Sequence, residues 1–138
     1  MSLQWREQLS VGNNVIDADH KHLIGIINQV ENCLAMEDWD ELRKALDSLS
    51  LYSRAHFAAE EKIARAVGYP HVFSLHESHQ ALMDKLEQVK QELVKEWTPA
   101  LVESFKTLLR SWLIQHVIKE DLLMKPYLIK WSPEFDPR

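Results

Sequence analysis

Three glycines, five prolines and one cysteine are spread over 138 residues. So few chain breakers leave long intervals between them, and those intervals carry helical rather than strand periodicity. A single cysteine excludes an internal disulfide; Cys33 lies among helical apolar residues and suits a small buried or half-buried thiol. Basic charge is also short: the formal net charge is -5 with no run of Lys and Arg, which argues against a nucleic-acid surface. No apolar run approaches the roughly 20 residues that span a bilayer, and the opening MSLQWREQLS lacks the apolar centre of a signal peptide. A cytoplasmic protein without membrane association is expected. What is present, 46% hydrophobic and 27% charged residues, is the composition of one globular domain over residues 1–138.

Four helices are expected. The first spans about Asp17 to Met36, with Leu23, Ile27, Val30 and Leu34 on one stripe and Asp17 or Asp19 as its N-cap. The second begins near Asp38 or Trp39 and ends before Gly68, a residue suited to the position just past a helix. A third follows Pro70, and Thr98 with Pro99 reads as the cap and first residue of the fourth. Short connectors between long amphipathic helices predict an all-α, antiparallel up-down-up-down four-helix bundle. Ahead of it runs an irregular N-terminal arm anchored by Trp5, and WSPEFDPR forms a proline-broken tail.

The interior stripes carry an anomaly. In the second helix the series is Leu42, Leu46, Leu49, Ser53, His56, Glu60, Ile63 and Val67, which puts two ionisable groups on the buried face. His20 lies three residues before Leu23; His79 falls within Leu75, His79, Leu82, Leu86, Val89, Leu93; His116 continues Phe105, Leu109, Trp112. Each helix thus turns a histidine inward. One such histidine is ordinarily a hydrogen-bonded core residue. Four of them with a carboxylate are another matter, since an uncompensated buried carboxylate alone costs several kcal/mol. A metal cation removes that difficulty, because neutral imidazole and carboxylate are its natural donors and no thiolate is needed.

Spacing refines the site. His56 and Glu60 are four apart, about 40° around an ideal helix, so both reach one cluster. His116 and Asp121 are five apart, about 140°, and converge only if the helix widens locally. Glu120 is a rival to Asp121, and helical geometry alone does not choose between them. The fragment HESHQ in the third helix is not the zinc-protease signature HExxH, because Gln80 stands where the second histidine is required.

The strings NVIDADHKHL around His20, HFAAEE from His56, YP followed by histidines, and HVIKED from His116 together resemble the bacterial hemerythrins. The resemblance covers nearly the whole chain and depends on a strict order: one His, then HxxxE, then a histidine pair, then HxxxxD. The ferritin-like di-iron pattern is absent, since no glutamate has a histidine three residues later. The resemblance implies a non-heme di-iron centre, bridged by carboxylates and an oxo or hydroxo group, that binds dioxygen reversibly. It implies His20 and His56 on one iron, which keeps a vacant place, with Glu60 and Asp121 as bridges. His79 and His116, with one more third-helix histidine, would hold the second iron. Leu23, Ile24 and Trp112 would then wall off water from the vacant place.

The third helix departs from the family pattern. HxxxH counted back from His79 gives Leu75, and His76 comes one residue late, on the other flank of His79. His76 is expected to ligate through a slight local rewinding. The alternative is that it faces solvent or another helix, which leaves the second iron one ligand short and favours redox chemistry on dioxygen, peroxide or nitric oxide over reversible binding. Of the other candidates, His22 is expected at the surface, His71 in the turn after Pro70, Glu61 at the surface or behind a ligand, and Asp17 as a cap or as the partner of a ligand histidine.

Overall fold

The computed structural model describes residues 3–93 and 98–137, without the side chains of residues 92, 93 and 116. Leu93 of the third stripe and the imidazole of His116 therefore lie outside the described set. Helix α1 spans Asn14–Ala35, α2 Trp39–Ala66, α3 Val72–Leu93 and α4 Pro99–Ser111. The fourth rod continues as a π-helical stretch over Trp112–Ile118, then α5 at Lys119–Asp121, a 3-10 turn at Leu122–Met124 and α6 at Lys125–Leu128. No strand occurs among the described residues, and the protein is an all-α four-helix bundle. None of the helices described is long and apolar enough to cross a membrane.

Local chemistry explains most of the boundaries. Asp38 caps α2 by accepting from the amide of Glu41, and Thr98, the cap expected for α4, accepts from that of Leu101. After α2, Gly68 takes φ +77°, the left-handed conformation that closes a helix end at no steric cost. The start of α1 differs from expectation. Asn13 is the cap, accepting from the amides of Val15 and Ile16, and Asp17 instead holds the arm, accepting from the Ser10 hydroxyl at 2.5 Å and the Val11 amide at 2.9 Å. The tail completes that corner, because the Asn14 amide donates to the Pro133 carbonyl and the Asn13 side chain to that of Phe135.

The stripes read from sequence form two apolar layers. The larger contains Leu23, Ile27, Leu49, Leu86, Leu109 and Trp112. The smaller contains Ile16, Ile63, Leu75, Met124 and Leu128. Along each chain direction His20, Glu60, His79 and Asp121 fall between members of the two layers, so the polar residues occupy a level sealed above and below by hydrocarbon. Each fully buried Leu or Ile contributes roughly 1.5–3 kcal/mol of transfer free energy, which gives the bundle the means to hold an unfavourable polar level in place.

Candidate metal centre

Four side chains meet at that level. Ligand atoms of His20, His56, Glu60 and Asp121 all lie within 4.8 Å of one another, and all four residues are buried. His20 Nε2 is 2.7 Å from Asp121 Oδ2, and His56 Nε2 is 2.8 Å from Glu60 Oε2. Glu60 faces both ways: Oε2 points to His56, while Oε1 is 3.2 Å from His79 Nε2. A carboxylate so placed can bridge two cations. The wide turn required of the fourth helix is present, since the π-helical stretch ends three residues before Asp121 and contains His116 in its backbone. Asp121 is fully buried, whereas Glu120 accepts from the Ser78 hydroxyl at 2.6 Å, away from the cluster. Between the two rivals, the fold turns Asp121 inward.

A ring of further groups orients the imidazoles. His56 Nδ1 is 2.9 Å from Asp19 Oδ2, and Tyr52 donates its hydroxyl to the other Asp19 oxygen at 2.7 Å. His79 Nδ1 is 2.9 Å from Glu61 Oε2, and its ring stacks on Phe57 with centroids 4.1 Å apart. Nδ1 held by a carboxylate leaves Nε2 with its lone pair toward the interior, the arrangement that commonly accompanies a ligating histidine. Asp19 takes the role for which the sequence offers Asp17 as a candidate, and Asp17 holds the arm instead. No local signal separates the two, because the Asp19 partners come from α2.

Electrostatics make the level uncomfortable without a cation. Burial drives the Asp121 carboxyl well above the usual carboxylate range, and the Glu60 charge beside it pushes the same way. Burial acts to raise Glu60 as well, but hydrogen bonding to Asp121 and the charge of His56 hold it low. Burial, with the neighbouring His56 charge, pushes His20 down to about 3. His56 goes up despite burial, because Glu60, Asp121 and Asp19 all favour its charged form. Several polar atoms stay unpaired even so: His20 Nδ1, His56 Nε2, Glu60 Oε2, Asp121 Oδ1 and Ser53 Oγ are buried with no hydrogen-bond partner. Imidazole nitrogens and carboxylate oxygens gathered within 4.8 Å of one another, with His56 Nε2, Glu60 Oε2 and Asp121 Oδ1 unsatisfied, fit a hard or borderline metal ion.

The remaining candidates stand outside this group. His76 is half-exposed, its side chain 48% accessible, with Nδ1 2.6 Å from Glu61 Oε1. Leu75, at the place the family pattern reserves for histidine, is buried in the smaller apolar layer. Glu61 is buried and touches both His76 and His79. His22 is exposed and stacks on Tyr52; His71 is exposed beside Tyr69. Leu23, Ile24 and Trp112 are buried as expected, and the Trp112 indole donates to the Leu82 carbonyl at 3.0 Å.

The family model for the Hemerythrin HHE cation binding domain matches residues 11–128. The bacteriohemerythrin of Methylococcus capsulatus is 31% identical over 133 residues, covering 93% of this chain and 98% of that protein. The bacteriohemerythrin of Stenotrophomonas maltophilia is 23% identical over 119 residues, covering 86% of this chain and 76% of that protein. A crystal structure of a leucine-to-phenylalanine mutant shares the fold, with TM-score 0.79 at 22% identity over 94% of this chain and 99% of that one.

Proposed function

The chain belongs to the hemerythrin family of cation-binding domains, and from that premise we propose that it binds dioxygen reversibly at a pair of iron ions. The observation that carries this reading is the convergence, within 4.8 Å in a sealed core, of imidazoles and carboxylates several of whose polar atoms have no hydrogen-bond partner. In it His20 and His56 serve one metal position, His79 and His116 the other, and Glu60 and Asp121 both. Two iron ions at these positions would lend dioxygen one electron each and recover them on release. The protein's own part is to fix the imidazoles through Asp19 and Glu61, to supply a negative pair of bridges, and to exclude water with Leu23, Ile24 and Trp112. His76 is the variable member of the set, able to join the His79 side by exchanging Glu61 for metal.

A second reading rests on that same side. With Leu75 in the apolar layer and His76 half-exposed, an open metal position there favours consumption of dioxygen, peroxide or nitric oxide. Metal analysis combined with anaerobic and aerobic absorption spectra separates the two. A protein that retains two irons, colours in air and bleaches again under vacuum is a carrier, store or sensor; one that stays oxidised is a redox enzyme. An iron-fed preparation that folds but retains no metal overturns both.

A further inference from the structure

We propose that the Ser53 hydroxyl donates a hydrogen bond to the small exogenous ligand held on the His20 and His56 side of the centre, an inference that rests on the metal-binding reading above. Five buried polar atoms lack partners, and four of them belong to the metal-ligating set. A cation accounts for His56 Nε2, Glu60 Oε2 and Asp121 Oδ1, while His20, which meets the cluster through Nε2, keeps Nδ1 on the far side of its ring. Of the two left over, Ser53 Oγ is the one that does not belong to a ligand residue.

Its position is unusual in itself. A serine within a helix ordinarily returns its hydroxyl to a carbonyl one turn back, yet Ser53, fully buried inside α2, makes no such bond. Such a group is destabilising unless something polar meets it. Ser53 precedes His56 by three residues, about 60° around the helix, so both face the interior. The neighbouring Tyr52 reaches Asp19 across the α1 interface at 2.7 Å, which puts this turn of α2 against the turn of α1 that carries His20. The next interior residues of α1, Leu23 and Ile24, are buried hydrocarbon, and their side chains offer the hydroxyl no acceptor.

Dioxygen, azide and water all present a lone pair to such a donor. Carbon monoxide accepts hydrogen bonds poorly, so the hydroxyl would select among diatomic and triatomic ligands as well as retain them. Ser53 is in this sense a positioning and selectivity residue.

The test uses the full chain loaded with iron, with azide as probe of the oxidised protein. Ser53→Ala should weaken azide binding about tenfold with metal content unchanged, and Ser53→Thr should restore it to within about twofold. Freed of an unpaired buried hydroxyl, the metal-free alanine variant should melt no lower than its parent. Unchanged azide affinity in Ser53→Ala overturns the proposal. So does a loss of iron or a lower melting temperature in that variant, since the hydroxyl would then serve the scaffold, for instance the unpaired His20 Nδ1. A parent whose azide affinity falls in the variant but which never bleaches under vacuum supports Ser53 and overturns reversible oxygen binding. Reversible oxygenation with azide affinity indifferent to Ser53→Ala overturns Ser53 alone.

Discussion

On the α1 and α2 side of the centre His20 and His56 are both buried, and His56 is held by Asp19, which Tyr52 holds in turn. On the α3 side His79 alone turns fully inward; Leu75 packs in hydrocarbon and His76 stands half-exposed against Glu61. On the first side His56 is fixed by a carboxylate of another helix that serves no other imidazole, and His20 is fully buried beside it. The second has a carboxylate, Glu61, shared between one interior and one peripheral imidazole. Pre-organisation of this kind decides how tightly a site holds metal, so the two sides should differ in how they respond to change.

The largest effect should come from the group common to both sides. Glu60→Gln removes the charge that faces His56 and His79, and metal content should fall more than about tenfold, measured by elemental analysis of the purified protein. Leu75→His is the change that would make the sides alike. It should raise iron retention on the α3 side and suppress oxidative turnover, while burying an imidazole in the apolar layer costs the metal-free chain about 2 kcal/mol in urea unfolding.

A smaller effect is confined to the first side. His20 titrates at about 3 in the fold against 6.5 for ordinary imidazole, so between those values the unfolded chain binds a proton that the folded chain refuses. Stability from this group is intact above 6.5 and is lost as pH falls through that window, by about 1.4 kcal/mol per pH unit. His20→Leu should flatten the slope in denaturant melts of the metal-free protein across acid pH. Smallest is His76→Ala, expected to lower metal content by at most about half and to leave the His20 and His56 side loaded. Full iron stoichiometry with an unaltered spectrum would reduce His76 to a partner of Glu61.

Much of this was legible because helices repeat. The stripe Leu42, Leu46, Leu49, Ser53, His56, Glu60, Ile63, Val67 is an angular statement about one helix, and all of it is buried except Val67, which caps the helix half-buried. The five-residue spacing of His116 and Asp121 required a widened turn, and a π-helical stretch lies there. The choice of Asp121 over Glu120 was not available from angles, because two adjacent acids on a helix of unknown winding can each be turned inward. The start of α1 was misplaced for a related reason: Asn13, Asp17 and Asp19 are all competent caps, and only the contacts of the arm and tail assign Asp17 elsewhere.

By itself, then, the order of residues determined the number of helices, the face each one buries and the presence of imidazole and carboxylate on those faces, because periodicity is a local property of the chain. Tertiary structure alone decided that Asp19 rather than Asp17 orients His56, that Glu61 lies between His76 and His79, and that Ser53 is left without a partner. Those facts depend on which atoms of different helices come within hydrogen-bond distance. Such distances are set by how the rods pack and cross, and no spacing along one rod encodes them.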